Sequence, residues 1–371
     1  MKTKVCHITT VHKENDNRIF YKECTSLRKD GFHVTLLCAG SISSVKEGIE
    51  VIGLPKNKNR IFHFFNTSIY HVIKTSIKVK AQIYHFHDPE LIFSGLFLHL
   101  CGKKVIYDIH ENNEFSILSK PYIKSKLFKY ILSKAFNFFE KVTTPFFYKI
   151  VTARPDISEK FNYLNPITLR NFPIIDSQAS YPKVKIEKDK QVVIFVGGLA
   201  AVRGIEELIN AFESLEGVEL WLLGPWMSVS FRKECENLKG WKNTRYLGIV
   251  EPYEIFAYLE LADIGIVTFL PFPNHTRTLA TKPFEYMMAG LPMIMSDFKY
   301  WKDFFKDLSH YVDPTNSSAI AQVINQLLSN PDEMKRMGDK SRVQVQNEFN
   351  WQKESQKLIG IYHQIIYESL N

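Results

Sequence analysis

The chain has 371 residues, 45% of them apolar and 23% charged, too long for one ordinary core and too apolar for disorder, so two globular domains are expected. Its five cysteines (6, 24, 38, 101 and 235) are odd in number and show no CxxC spacing, which argues against a disulfide framework or a zinc module and for a reducing cytoplasm. The net charge of +8 is uneven, with 26 Lys/Arg against 15 Asp/Glu in residues 1–180 and 21 against 24 in the remainder, so the halves are expected to meet different partners.

In chain order, strands are expected at 5–9, 34–38, 83–87, 104–109 and 150–152, with helical stretches between them such as 18–30, closed by Gly31. The polar start of the chain reads as a first strand rather than a signal peptide. The longest apolar runs, such as 91–100, reach half of the ~20 residues that a membrane span needs. Residues 171–190, a lysine-rich stretch with Pro182, break the rhythm as a linker. A second alternation follows, with strands at 192–196, 219–223, 246–247, 264–268 and 293–295, then helices at 317–330, 332–348 and 351–369. Strand–helix alternation predicts an α/β fold of two Rossmann-like domains, 1–170 and 191–350, facing across a cleft. The helix at 351–371 is free to pack back on the first of them.

Residues 281–292, Thr-Lys-Pro-Phe-Glu-Tyr-Met-Met-Ala-Gly-Leu-Pro, carry the most chemistry. Pro283 suits a first helical turn, and Gly290 with Pro292 ends the helix. Exposed N–H groups at its N-terminus together with Lys282 make an anion site suited to a diphosphate. Glu285 would repel phosphate but could accept both hydroxyl protons of a ribose; its bland alternative is a carboxylate favoured by the helix dipole. Gly197 and Gly198 end a strand and let the backbone approach a ligand, while Arg203 starts the next helix with a planar, bidentate phosphate donor. A tight turn with a surface arginine is the alternative. His87 ends the strand 83–87 and precedes Asp88-Pro89, which places it at the ligand-binding end of the sheet; His85 lies deeper on the same face. His110 and Glu111 end the next strand, and Asp16 to Arg18 follow the first.

Four stretches carry a family resemblance: Tyr84-His-Phe-His-Asp-Pro-Glu, Phe195-Val-Gly-Gly-Leu with Arg203-Gly204, Trp221-Leu-Leu-Gly-Pro, and 281–292. In this order and spacing the chain resembles the retaining GT-B glycosyltransferases of family 4, also called group 1. Residues 11–20 and 281–287 look like a bacterial branch that builds surface polysaccharides. The resemblance implies a nucleotide-sugar donor, UDP- or GDP-linked, held by the second domain through Gly197, Gly198, Arg203, Gly224, Leu279, Ala280, Thr281, Lys282 and Glu285. It implies His87 as the active-site histidine over the donor sugar, and an acceptor in the first domain near Asp16, Arg18, His110 and Glu111. It further implies a metal-independent reaction with no cofactor, transferring a hexosyl or N-acetylhexosaminyl group to a lipid-linked or soluble saccharide. The chain departs from the family at Gly198, where many relatives have arginine, and at Arg277, eight residues before Glu285, where the family's first acid stands.

Segment 115–150 holds seven lysines against Glu140 alone, interleaved with aromatic and aliphatic residues. Such a stretch suits the inner face of an anionic plasma membrane; an amphipathic helix with a solvated lysine face is the alternative. No nucleic-acid module accompanies it. Other readings of the fold remain: a nucleotide-sugar epimerase or hydrolase, a non-catalytic saccharide- or lipid-binding scaffold, or metal binding by His85, His87, His110 and Asp88. A dinucleotide dehydrogenase is disfavoured, because no GxGxxG follows either first strand.

Overall fold

The computed structural model describes residues 2–118, 123–175, 184, 186–251 and 254–370. The chain divides into two units, Met1–Asn171 with Trp351–Asn371, and Phe172–Asn350. Residues 176–183 and 185 of the expected linker, and Lys120 of the lysine-rich segment, lie outside the described residues.

In the first unit, apolar runs with β-branched and aromatic residues form β1 (Lys4–Thr9), β2 (His33–Ala39), β4 (Ile49–Leu54), β5 (Ile83–Phe86), β6 (Lys104–Ile109) and β7 (Lys149–Thr152). All but β4 are expected from the sequence. Two-residue β8 (Ile167–Thr168) and short β3 (Ser44–Lys46) complete the sheet, in the order β3-β4-β2-β1-β5-β6-β7-β8. The strands pair in parallel except β3, which folds back on β4 through Glu47 and Gly48, both at positive φ. That turn geometry usually selects Asn-Gly or Asp-Gly, so Glu47-Gly48 is a weak turn signal. Neighbours are entered from opposite sides of β1, with β2 on one flank and β5 on the other, which makes the carboxyl ends of β1 and β5 the topological switch point where such sheets bind ligands.

The expected helix 18–30 is a π-helical turn, Asn17–Cys24, running into the α-helix Thr25–Lys29. The C-terminal helix Trp351–Leu370 belongs to this unit, burying Leu358, Ile361, Tyr362 and Ile365 against Ile19, Leu27 and Phe32. Each aliphatic side chain buried in this way stabilises the packing by about 1.5–3 kcal/mol. Trp351 Nε1 also donates to Ser26 Oγ at 2.9 Å.

The second unit holds β9 (Gln191–Val196), β10 (Val218–Leu223), β11 (Thr244–Gly248), β12 (Ile264–Val267), β13 (Met293–Ser296) and β14 (His310–Val312), all parallel, in the order β11-β10-β9-β12-β13-β14. Its switch point lies at the end of β9. Helix Lys282–Ala289 starts at Thr281, carries Pro283 in its first turn and ends at left-handed Gly290. Buried Tyr286 docks it on the sheet: its ring lies over Gly265, where a Cβ would come within 2.4 Å, and its hydroxyl accepts the Val196 N–H at 3.1 Å.

Candidate functional site

At the end of β9, Gly197 (φ +147°) and Gly198 face the guanidinium of Arg203, and a Cβ on Gly197 would sit 2.8 Å from Nη1. Gly224, at the end of β10, is required by the same approach, since a Cβ there would lie 2.1 Å from the Gly197 carbonyl oxygen. Arg203 is half-buried over the Phe269 ring, 5.3 Å from its centroid, and no carboxylate pairs with it among the described residues. Burial lowers its pKa from the ordinary value. A half-desolvated guanidinium of this kind favours an anion.

Phe269 packs in turn on Trp301, whose indole N–H donates to the Thr278 carbonyl at 2.6 Å, so this chain of rings anchors the segment that holds Leu279 and Ala280. Thr281 then opens helix Lys282–Ala289 with no side-chain cap, which leaves its first N–H groups available to an anion. One expectation needs correction. Lys282 is not an open point charge: its Nζ bonds both oxygens of Glu285, at 2.8 and 2.7 Å. The same ion pair occupies the Glu285 carboxylate, so a ligand that used either group would have to open it. Arg277 is exposed just before this segment.

In the first unit, register puts His7 opposite His85 in β1 and β5, and β5 beside β6, so His7, His85, His87, Asp108 and His110 share one side. The imidazoles stack, with ring centroids 4.6–5.2 Å apart between His7, His85 and His87. One directed set of bonds links them and leaves only His85 Nε2 without a hydrogen-bond partner among the described residues. His85 Nδ1 donates to the Tyr362 hydroxyl (2.8 Å), which donates to His7 Nε2 (3.1 Å). His7 Nδ1 donates to His87 Nε2 (3.0 Å), and His87 Nδ1 and His110 Nε2 face Asp108 Oδ2 at 3.4 and 3.0 Å. His7, His85 and His87 then each carry a single proton. Burial accordingly pushes His87 down to about 4 and holds His7 and His85 well below the usual imidazole range.

Arg18 does not project from a loop towards an acceptor, as expected from the sequence; it is buried beneath these rings. Its Nε and Nη2 bond Asp108 at 3.0–3.1 Å, Nη1 donates to the Leu169 carbonyl at 2.7 Å, and Nε lies 3.0 Å from Glu23 Oε1. Arg18 and Glu23 are five residues apart, a spacing that the π-helical turn brings onto one side. Burial and the neighbouring Asp108 raise the Glu23 pKa; burial alone would also raise that of Asp108, but Arg18 together with His110 and His87 holds it low. Protonated Glu23, Asp108 and Arg18 then leave no net charge in the core.

A cavity of about 260 Å³ opens at the ends of β1, β5 and β6, lined by His12, His87, Asp88, His110, Glu111 and Asn113 among others. Of the expected acceptor-side residues, His110 and Glu111 line it and Asp16 and Arg18 do not. His87 borders it but is 2% exposed, both its ring nitrogens facing partners inside the protein. Asp16 instead caps the π-helical turn, accepting from the N–H groups of Arg18 and Ile19 and pairing with His12. Burial alone would raise its pKa, but these bonds bring it well below the usual range, and the Asp16 bond raises that of His12. Asp88 Oδ2 gathers the turn after β1, accepting from Thr9 Oγ1 (2.8 Å) and from the N–H groups of Thr10 and Val11.

Sequence reasoning passed over His7, His12, Glu23, Asp108 and Tyr362. The signal for two of them was parity: His7 and Asp108 alternate in phase with His85, His87 and His110 on neighbouring parallel strands. Glu23, His85, His87 and Asp108 also bring ligand atoms within 4.8 Å of one another, a donor set that a divalent cation accepts. Arg18 already supplies the positive charge at that position.

Residues 176–344 match the family model described as Glycosyl transferases group 1. The chain is similar to spore coat protein SA of Bacillus subtilis, 24% identical over 187 residues, which span 47% of this chain and 48% of that protein. An uncharacterised glycosyltransferase of Methanocaldococcus jannaschii is 21% identical over 305 residues, 76% of this chain and 75% of that one. Among solved structures, sucrose-phosphate synthase of Thermosynechococcus elongatus superposes with a TM-score of 0.76 at 15% identity, covering 99% of this chain and all of the other. The Anabaena protein HepE, solved with UDP-glucose, superposes with a TM-score of 0.67 at 12% identity, covering 97% and 99% of the two chains. Residues 176–344 thus match the group 1 glycosyltransferases, and the whole chain has their two-domain GT-B fold.

Proposed function

We propose that this chain transfers a sugar from a nucleoside-diphosphate donor to a saccharide acceptor, with retention at the anomeric carbon. The observation that carries the reading is Arg203: a half-buried guanidinium, unpaired among the described residues, beside Gly197 and Gly198 at the switch point of the second sheet. Gly224 keeps that approach open, and the uncapped helix start at Thr281 and Lys282 adds a second anion-binding element. Family membership of residues 176–344 and the UDP-glucose bound by HepE support a nucleotide sugar as the ligand.

In the proposed reaction an acceptor hydroxyl attacks the anomeric carbon, the bond from that carbon to the diphosphate breaks, and the hydroxyl proton passes to the departing phosphate oxygen. Arg203 and the helix N-terminus stabilise the charge that develops on the leaving group. Lys282 joins them if the donor draws it from Glu285, whose carboxylate is then free for the ribose. The acceptor occupies the cavity lined by His110 and Glu111, with His87 and Asp108 orienting His110 from behind. Transfer needs no metal in this scheme and survives EDTA.

We assign the acceptor to a lipid-linked saccharide of bacterial surface-polysaccharide assembly, met at an anionic membrane face. Helix Lys126–Thr143 exposes Leu127, Phe128, Ile131 and Phe138 next to Lys126 and Lys134, which supports this docking. Among the described residues no helix is long and apolar enough to cross a membrane. A thermal-shift screen against UDP, GDP and their nucleosides tests the donor site: a ligand at 100 times its Kd adds about 2.7 kcal/mol of stability. Silence from every diphosphate would contradict the reading.

A further inference from the structure

The lysine-rich helix is not the only basic, apolar surface of the first unit. Residues 56–80 contain six Lys/Arg and no Asp or Glu. They form the run of helix Arg60–Phe62, π-helix His63–His71 and helix Val72–Val79. This run exposes Ile61 (72%), Phe62 (57%) and Phe65 (61%), where an ordinary surface helix would present polar groups. Later in the sequence, helix Lys126–Thr143 exposes Leu127 (69%) and Phe138 (70%).

The fold joins the two. Phe64, next to Phe65, makes an edge contact with Phe93 (5.7 Å between centroids), and Phe93 stacks on Phe139 (5.1 Å), next to Phe138. Phe93 lies on helix Ile92–Leu100, which sits between them and itself exposes Phe97 and Leu100. Aromatic contacts therefore run unbroken from one basic segment to the other.

We propose that these three elements form a single docking face for an anionic lipid bilayer, with residues 60–65 as a second insertion point beside 127–138. This rests on the membrane partnership proposed for 115–150 and enlarges it. The partner follows from the pairing of chemistries: apolar side chains on helices enter the headgroup–acyl boundary, and lysines around them meet anionic headgroups. Residues 124–149 add six lysines against Glu140, which is itself buried and paired with Lys160. Lys134 is paired with Glu114, and the two segments together still carry a large excess of Lys/Arg over Asp/Glu. Two insertion points on one unit also fix its orientation on the surface, where one helix alone leaves rotation about its axis open.

The test is co-sedimentation of the full chain with vesicles containing phosphatidylglycerol, or phosphatidylcholine only, at low and high salt. Wild type should bind the anionic vesicles and release partly as salt rises. The triple variant Ile61→Ser, Phe62→Ser, Phe65→Ser should weaken binding by about tenfold or more, as should Leu127→Ser, Phe128→Ser, Ile131→Ser. Lys74→Gln with Lys78→Gln should weaken it by about fivefold per lysine at low salt, a check independent of the apolar changes. Wild type that ignores anionic vesicles at low salt overturns the whole membrane reading. Loss confined to the 127–131 variant overturns the enlarged face and leaves the single helix. The nucleotide-induced thermal shift is read on the same samples: if no nucleotide shifts any of them while vesicle binding follows the predicted pattern, the transferase reading falls and the docking face stands.

Discussion

Tyr362 shows how far one side chain on the last helix reaches into the chemistry of the first strands. Its hydroxyl joins His85 to His7, and His7 fixes His87. Tyr362→Phe should strand two buried imidazole nitrogens and destabilise the first unit by about 1–3 kcal/mol, measured by urea unfolding. Unchanged stability would mean that the imidazole chain is held otherwise. The same cluster sets a pH dependence. His7, His85 and His87 have folded pKa values below their unfolded value of about 6.5. The unfolded chain therefore binds more protons as pH falls below that value, and stability drops between about 6.5 and the folded value of about 4 for His87. Each histidine contributes up to about 1.4 kcal/mol per pH unit. His12 has the opposite sign, since its raised pKa favours the folded state at low pH and that favour is lost as pH rises through it; it is partly exposed, so its share is smaller. Stability that stayed flat from pH 7 to pH 5 would contradict the neutral-imidazole assignment.

At the scale of elements, the strands were largely legible because buried parallel strands are continuous apolar runs, and β6 falls on its expected residues, 104–109. The helix at 282–289 was legible because proline and glycine mark its ends. Strands β3, β8 and β14 span only two or three residues and carry too few side chains for periodicity to register. The π-helical turn was invisible for another reason: residues 18–30 fit an α-helical pattern, and only the buried Arg18–Glu23 pair, five apart, reveals the wider winding. The candidate site divides in the same way. Local motifs such as Gly197-Gly198 were readable, but the Lys282–Glu285 ion pair depends on side-chain reach, and Tyr362 comes from 277 residues beyond His85. Gly224 permits a sharp test of element placement. Gly224→Ala should displace the Gly197 carbonyl, 2.1 Å from the new Cβ, and weaken nucleotide binding more than it lowers the melting temperature of the first unit. Unchanged affinity would show that the β9 and β10 ends do not shape the donor site.

At the scale of the whole molecule, each unit is built on a largely parallel sheet, with the residues proposed to bind the diphosphate at the switch point of one and the histidine–carboxylate cavity at that of the other. This division predicts separable responses. Hydrogen exchange should slow at 197–204 and 281–285 when nucleotide binds, and at 61–70 and 127–138 when anionic vesicles bind, each without the other; a common pattern for both ligands would contradict it. The central claim is that the second unit binds a nucleoside diphosphate through Arg203, and calorimetric titration tests it most directly. UDP and GDP, with uridine and guanosine as controls, are titrated into wild type and Arg203→Ala. The account predicts that wild type binds at least one diphosphate and that the variant binds it about ten- to a hundredfold more weakly, with nucleoside affinity unchanged. Equal affinity of wild type and variant for the diphosphate, or no binding of either diphosphate to wild type, would contradict it.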